Sequence, residues 1–365
     1  MVFTQDELAR YARHLSLSGF GAPAQEKLKN ARVLVIGVGG LGCPALLYLA
    51  AAGVGRIEIL DADRVDLSNL QRQVLFTTED AGQLKVEVAA RRLRALNPLI
   101  QIVPRAERFK RSNALERVRE CDVVVDGSDN FATRYLVNDA CVIEGKPFIY
   151  GAIQRFEGQV SVFNWQGGPT YRCLFPEPAP SESVPNCSEA GVLGVLPGLI
   201  GTVQATEAIK LLTGVGEPLS GRLLLWDALT MRMRTLALAA SPSSQGIREL
   251  PLEPFGQTCV IRSNARENEI DVSELRATLA QLQLIDVRDE WERSAGTILP
   301  SVHLPWESLE SAQPNATLLQ LDPAKATVLF CAVGVRSQKA LALLCEHHGF
   351  THVRSLRGGY QAWNA

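Results

Sequence analysis

A chain of 365 residues with 46% hydrophobic and 21% charged side chains is long enough for two cores and too apolar for extended disorder. Its formal net charge of −2 supplies no general attraction to nucleic acid or to an anionic membrane, so neither is expected as a partner. The opening MVFTQDELARY lacks the basic and apolar regions of a signal peptide, no apolar run is long enough to span a bilayer, and the eight cysteines fall without paired spacing. A cytoplasmic protein with free thiols is expected.

The first two thirds alternate short Val/Ile/Leu runs with helical patterns, which predicts an α/β fold with a Rossmann-like, doubly wound parallel sheet. ARVLVIGVGG reads as a strand entering a glycine turn and CPALLYLAAAGV as the helix after it. RIEILDAD and CDVVVDGSD are further strands, and KPFIYGAI and QVSVFNW continue the sheet. GVLGVLPGLIGTVQA is apolar, but Pro197 and its glycines make it a buried element rather than a membrane span, and EAIKLLTG is a helix stopped by Gly214. The stretch from Ala239 to Gln257 is rich in Ser, Pro and Gly and reads as a linker. Beyond it VSELRATLAQL, LQLIDVRDE, ATVLFCAVGVRS and QKALALLCEHHGF alternate helix, strand, strand and helix in a smaller α/β unit. The expected division is a first domain at 1–240, a linker at 241–258 and a second domain at 259–365.

VIGVGGLG sets Gly37, Gly39 and Gly42 in G-x-G-x-x-G register between a strand and a helix. Small residues there let the backbone approach phosphate, and the helix start offers free N–H groups; a tight turn without ligand is the alternative. Asp61 ends the next strand near the spacing at which an acidic side chain receives ribose hydroxyls, which taken alone suggests a nicotinamide-dependent oxidoreductase. DADRVDLSNLQRQ, GQLKVEVA and DGSDN redirect the reading. Arg72 and Lys85 are cations suited to a polyphosphate, and Asp129 is an anion suited to Mg2+, a set that fits ATP better than a nicotinamide. Each has a plain alternative: Lys85 on a solvated helix face, Arg72 in a surface ion pair, Asp129 as a helix cap.

Over roughly the first two thirds, RYARHLSLSGFG, VLVIGVGGLGCPALLYLAAAGVGRIEILDAD, VDLSNLQRQ, GQLKVEVA, DGSDNFATR, YRCLFPEP, NCSEAGVLG and GTVQATEAIKLLTG stand in the order found in the MoeB/ThiF enzymes. The chain resembles that family, the bacterial relatives of ubiquitin-activating enzymes. The resemblance implies adenylation, with ATP and Mg2+, of the C-terminal glycine of a small ubiquitin-like sulfur-carrier protein ending in Gly-Gly. In that role Gly37, Gly39, Gly40 and Gly42 would form the phosphate turn, Asp61 would hold the ribose, and Asn69, Arg72 and Lys85 would complete the nucleotide site. Asp129 would hold Mg2+, and Arg13 would reach the phosphates bound by a neighbouring subunit, which implies a homodimer. Cys187 stands at the family's cysteine and could form a bond with the carrier's activated carboxylate or resolve an acyl disulfide; a small buried thiol at a helix start is its alternative. Relatives carry two CxxC pairs that bind a structural zinc. Here the first reads TYRC and the later position falls in AASPSSQG, so no structural zinc is expected and Cys173 is a packed remnant.

From about residue 260 to the end, LIDVRDEWE, LFCAVGVRSQKALALL and LRGGYQAW resemble the rhodanese fold. Cys331 opens a loop through Gly334 to Arg336 that leads into a helix, where backbone N–H groups would stabilise a thiolate or persulfide. Asp286, Arg288 and Glu292 match an element expected to be structural, and an inactive docking module is the alternative for Cys331. The fusion implies that a Cys331 persulfide, charged by thiosulfate or by the persulfide of a cysteine desulfurase, attacks the adenylated carrier to give a thiocarboxylate for molybdopterin, thiamine or a related sulfur pathway. A noncatalytic adaptor for a ubiquitin-like tail is the other reading.

Overall fold

The apolar runs between Arg32 and Ala237 form one eight-stranded sheet in the computed structural model, which describes residues 3–177, 191–241, 244, 246–251, 268–310 and 316–364. Its strands are β1 (Arg32–Ile36), β2 (Arg56–Leu60), β3 (Gln101–Arg105), β4 (Val123–Asp126), β5 (Phe148–Gln154), β6 (Glu157–Phe163), β7 (Arg222–Asp227) and β8 (Arg232–Ala237). The order is β3-β2-β1-β4-β5-β6-β7-β8. Strands from β3 to β5 pair in parallel, and those from β5 to β8 pair antiparallel.

Unbroken burial along β4 and along β1 after the exposed Arg32 is what parallel strands covered on both faces require. Val33 and Val35 pack with the helices Gly42–Ala52, Lys85–Leu96 and Val195–Thr213. Leu34 and Ile36 pack on the opposite face with the helices Arg111–Arg119 and Phe131–Glu144. Chain order reverses between β1 and β4, so a crevice opens at their carboxyl ends, the place where such sheets bind ligands.

Several elements differ from the sequence reading. QVSVFNW runs antiparallel to KPFIYGAI because only Arg155 and Phe156, with Arg155 at φ 52°, connect β5 to β6, and so short a link permits a hairpin alone. The two apolar segments around Pro197 and Ile209 form one helix, Val195–Thr213; Pro197 lies in its first turn, where its missing N–H costs little, and Gly214 closes it at φ 77°. β3, β7 and β8 lack a clean apolar alternation. All six residues of β8, at the sheet edge, are exposed.

The chain divides into the units Met1–Thr258 and Cys259–Ala365. In the second, β9 (Glu269–Ile270), β10 (Gln283–Asp286), β11 (Val302–His303), β12 (Thr327–Phe330) and β13 (Val353–Leu356) form a parallel sheet in the order β11-β10-β12-β13-β9. Within the stretch read as a linker, Leu250 is buried against the first unit beside Phe163 and Tyr171.

Cys173 is more than a packed remnant. Its Sγ accepts hydrogen bonds from the N–H groups of Thr170 and Ser241, each at 3.2 Å, and lies 2.8 Å from Ser244 Oγ. Two serines therefore stand where a second cysteine pair would be sought, and the sulfur ties together segments about seventy residues apart. Burial pushes this thiol up, but the contacts with Ser244, Thr170 and Ser241 outweigh it and hold the thiol below its ordinary value. A depressed folded value adds stability that is complete above the unfolded value and fades as pH falls through the folded one. Urea denaturation of Cys173→Ala is expected to show a loss of about 1 kcal/mol at neutral pH, growing toward pH 9.

Candidate functional site

The turn after β1 is shaped by backbone contact. Gly37 sits at φ 89°, and a Cβ there would meet Gly127 O at 2.9 Å; a Cβ on Gly42 would fall 2.0 Å from Gly37 O. No side chain fits at either position, so strand, helix and the loop after β4 close on one another through main chain alone. Asp61, just past β2, accepts the Val38 N–H and the Asp63 N–H, each at 2.7 Å, and so fixes the turn from the next strand.

Asp66 caps the short 3-10 turn Leu67–Asn69, and Arg72 N–H donates to Asn69 O. Arg72 Nη2 donates to Asn69 Oδ1 at 2.8 Å, and Arg72 Cγ lies 3.5 Å from where a side chain on Gly40 would begin. Among the described residues its side-chain hydrogen bonds go to the neutral Asn69 and Ser68, so no carboxylate competes with an anion for the guanidinium. Lys85 opens the helix Lys85–Leu96 with its side chain only 7% exposed and its Nζ 3.5 Å from Asp63 Oδ2, which sets aside the solvated-face reading. Asp129 is exposed in the loop after β4. The cap of the helix Phe131–Glu144 is Asn130, whose Oδ1 accepts the Thr133 N–H at 2.9 Å, so Asp129 is not spent as a cap.

The loop bearing Asp129 lies against the glycine turn, since Gly127 N–H donates to Ile36 O at 2.8 Å. Gly37, Gly39, Gly40, Gly42, Asp61, Asn69, Arg72, Lys85 and Asp129 thus come from neighbouring segments at the carboxyl ends of β1, β2 and β4. Arg13 is exposed on the short helix Ala12–Leu15. Cys187 lies outside the described residues.

Sequence reasoning missed three residues here. Asp63 pairs with Lys85, a contact the spacing DAD could have suggested. Gln73 is buried with its Oε1 lacking a hydrogen-bond partner, and its Nε2 lies 4.0 Å from the Cβ position of Gly39. Arg134, buried, donates to Ser128 O. Beneath the loop, burial pushes the Asp126 carboxyl up, with Arg134 and the Ser128 N–H opposing.

In the second unit Cys331 follows β12 and is 1% exposed. Its Sγ accepts from the Gly334 N–H at 3.1 Å and from the Ser337 hydroxyl at 3.6 Å. Gly334, at φ 100°, starts the helix Val335–His348. Arg336 closes the loop on Glu292, with Nη2 to Oε1 at 2.6 Å and to Oε2 at 2.7 Å, and on Asp289 at 3.4 Å. Glu292 therefore braces the sulfur loop, while Arg288 and Asp286 form a separate buried pair at 2.8 Å. The other buried thiols are of another kind: burial pushes Cys43 and Cys121 up to about 12 and Cys141 well above its ordinary value.

The fold and site define a nucleotide-binding enzyme joined to a sulfur-handling module. Residues 11–246 match the ThiF family and residues 271–365 the rhodanese-like domain. The chain belongs to the ThiF family, as an ATP-using adenylyltransferase and sulfurtransferase, which sets aside the nicotinamide reading. It is 46% identical over 373 residues to the probable adenylyltransferase/sulfurtransferase MoeZ of Mycobacterium tuberculosis, covering 99% of this chain and 93% of that one. It is 53% identical over 247 residues to the sulfur carrier protein adenylyltransferase of Thermus thermophilus, covering 66% of this chain and 91% of that one. Among solved structures, E. coli MccB aligns at 26% identity with a TM-score of 0.58, covering 67% of this chain and 73% of MccB. No helix among the described residues is long and apolar enough to cross a membrane.

Lys85→Met removes the buried charge while keeping the apolar stem. ATP–pyrophosphate exchange should fall by about 100-fold with the melting temperature nearly unchanged; exchange within a few-fold of the parent would remove Lys85 from the nucleotide site.

Proposed function

We propose that the first unit adenylates the C-terminal glycine of a ubiquitin-like sulfur-carrier protein ending in Gly-Gly, and that Cys331 of the second unit then delivers sulfur to it. The observation that carries this reading is the gathering of Arg72, Lys85 and the Asp129 loop around one glycine turn, in a chain whose other unit holds a thiol among hydrogen-bond donors. The carrier carboxylate attacks the α-phosphorus of ATP and pyrophosphate leaves. Arg72 and Lys85 face the charge that builds on the phosphates, and Asn69 holds the Arg72 fork in place. Asp61 secures the turn and receives the ribose. Asp129 would hold Mg2+, which when bound supplies further neutralisation of phosphate charge.

The terminal sulfur of a Cys331 persulfide, charged by thiosulfate or by a cysteine desulfurase, attacks the acyl carbon and AMP leaves. The Cys187 thiolate then attacks Cys331 Sγ, the sulfur–sulfur bond to the acyl sulfur breaks, and the thiocarboxylate departs. The resulting Cys187–Cys331 disulfide is reopened by a cellular dithiol reductant. The Gly334 N–H and the Ser337 hydroxyl stabilise sulfur anion at the loop, and Glu292 holds Arg336, hence the loop, in shape. The 241–258 stretch joins a 1–240 adenylation domain to a 259–365 sulfur-transfer domain. The first unit is held without zinc, its Cys173 served by Thr170, Ser241 and Ser244. The protein works in the cytoplasm.

Incubation of a Gly-Gly-ended carrier with the protein, Mg-ATP and thiosulfate should replace one carrier oxygen by sulfur, read by mass spectrometry, and both Cys331→Ala and Asp129→Ala should abolish that change. An unaltered yield with Cys331→Ala would exclude Cys331 as the sulfur carrier. The exposed Arg13 serves the ATP of the partner subunit in a homodimer. Mixing inactive Arg13→Ala with inactive Asp129→Ala should therefore restore up to about a quarter to half of the exchange activity through hybrid dimers, whereas a site complete within one chain would give no recovery.

A further inference from the structure

We propose that Asp126 and Arg134 are positioning residues of the adenylation site, holding Ser128 through the peptide groups on either side of it so that the next residue, Asp129, presents its carboxylate toward the glycine turn. The inference rests on the reading of Asp129 given above. Asp126 ends β4 fully buried, and its Oδ1 accepts the Ser128 N–H at 3.0 Å. From the other side Arg134, 8% exposed, donates Nη2 to Ser128 O at 3.2 Å. The Arg134 guanidinium carbon lies 5.5 Å from the Tyr150 ring centroid and 5.7 Å from that of Phe131, so aromatic faces steady the fork.

The ends of the loop are anchored by other means. Gly127 N–H donates to Ile36 O, Gln204 Nε2 donates to Asp126 O at 2.7 Å, and Asn130 caps the following helix. Neither Asp126 nor Arg134 is therefore needed to attach the loop; what they add at Ser128 is the orientation of the two peptide groups that flank it. That service comes at a cost, because the Asp126 carboxyl is fully buried and its Oδ2 has no hydrogen-bond partner that meets the geometry of its Oδ1. Buried polar atoms left unsatisfied lose free energy, and a carboxyl retained there in place of an apolar side chain marks a demand for geometry. The demand is for an acceptor at Oδ1 rather than for a charge, so asparagine should meet it and alanine should not.

The test uses the full chain and two readouts: Mn2+ affinity with a nonhydrolysable ATP analogue, from the electron paramagnetic resonance of free Mn2+, and the Mg2+ concentration for half-maximal ATP–pyrophosphate exchange. Asp126→Ala and Arg134→Leu should each weaken both by about tenfold or more, while Asp126→Asn stays within about threefold of the parent. Arg134→Lys, which keeps the charge but loses the planar fork, should fall between. Circular dichroism and melting temperature show which variants fold, and the two conservative substitutions carry the test if the others do not. Asp126→Asn behaving like a folded Asp126→Ala, or Arg134→Lys and Arg134→Leu retaining the parent metal affinity while Asp129→Ala loses it, would overturn the inference. Parent-like metal affinity in Asp129→Ala would instead overturn the reading of Asp129 itself.

Discussion

The main-chain contact between Gly37 and both Gly42 and Gly127 is the constraint on which the adenylation unit turns. Where the positions of added Cβ atoms fall 2.0 Å and 2.9 Å from backbone, three pieces of chain have closed to the limit that peptide atoms allow. Everything charged is then arranged from this fixed point. Asp61 bonds to the turn itself, Arg72 lies along it, and the loop with Asp129 leaves from beneath it. A turn rigid in its backbone lets long, soft cations work at a definite place, because an arginine stem can adjust while the surface it reaches over cannot.

Both units build their chemistry in the same architectural position. In each, the reacting loop follows a strand where chain order reverses, β1 and β4 in one sheet and β10 and β12 in the other. The units differ in what fills that position. The first offers cations and open backbone, as phosphate requires, whereas the second closes its loop around sulfur and ties Arg336 of that loop to Glu292 and Asp289. The chain also separates its thiols by surroundings. Cys43, Cys121 and Cys141 are held protonated by apolar burial, while Cys331 and Cys173 have donors directed at them.

Much of this was legible in the amino-acid sequence because it is local. A strand followed by G-x-G-x-x-G, or a cysteine opening a loop to a helix, occupies a few consecutive residues, and the ordered motifs carried the family with them. What escaped depends on contacts that sequence does not bring together. Nothing in NLQRQ says which glutamine is buried, and Arg134 reads as one more helix-face arginine until it meets Ser128. Cys173 reads as a remnant in sequence because its partners Ser241 and Ser244 lie some seventy residues away. β7 and β8 were passed over for a different reason: half-buried or exposed edge strands need no strict alternation, so the pattern that announces a core strand is missing.

That edge carries its own consequence. β8 ends the eight-stranded sheet with one side of its backbone unpaired by any other strand of that sheet, and its side chains include Met233 and Leu236, which are exposed. Such a strand invites the same edge of another copy to continue the sheet across a two-fold axis. Arg232 and Arg234 stand on the same strand, so a register that sets these residues opposite their copies crowds like charges and opposes that ladder. The guanidinium pair thus narrows the ways in which two such borders could meet.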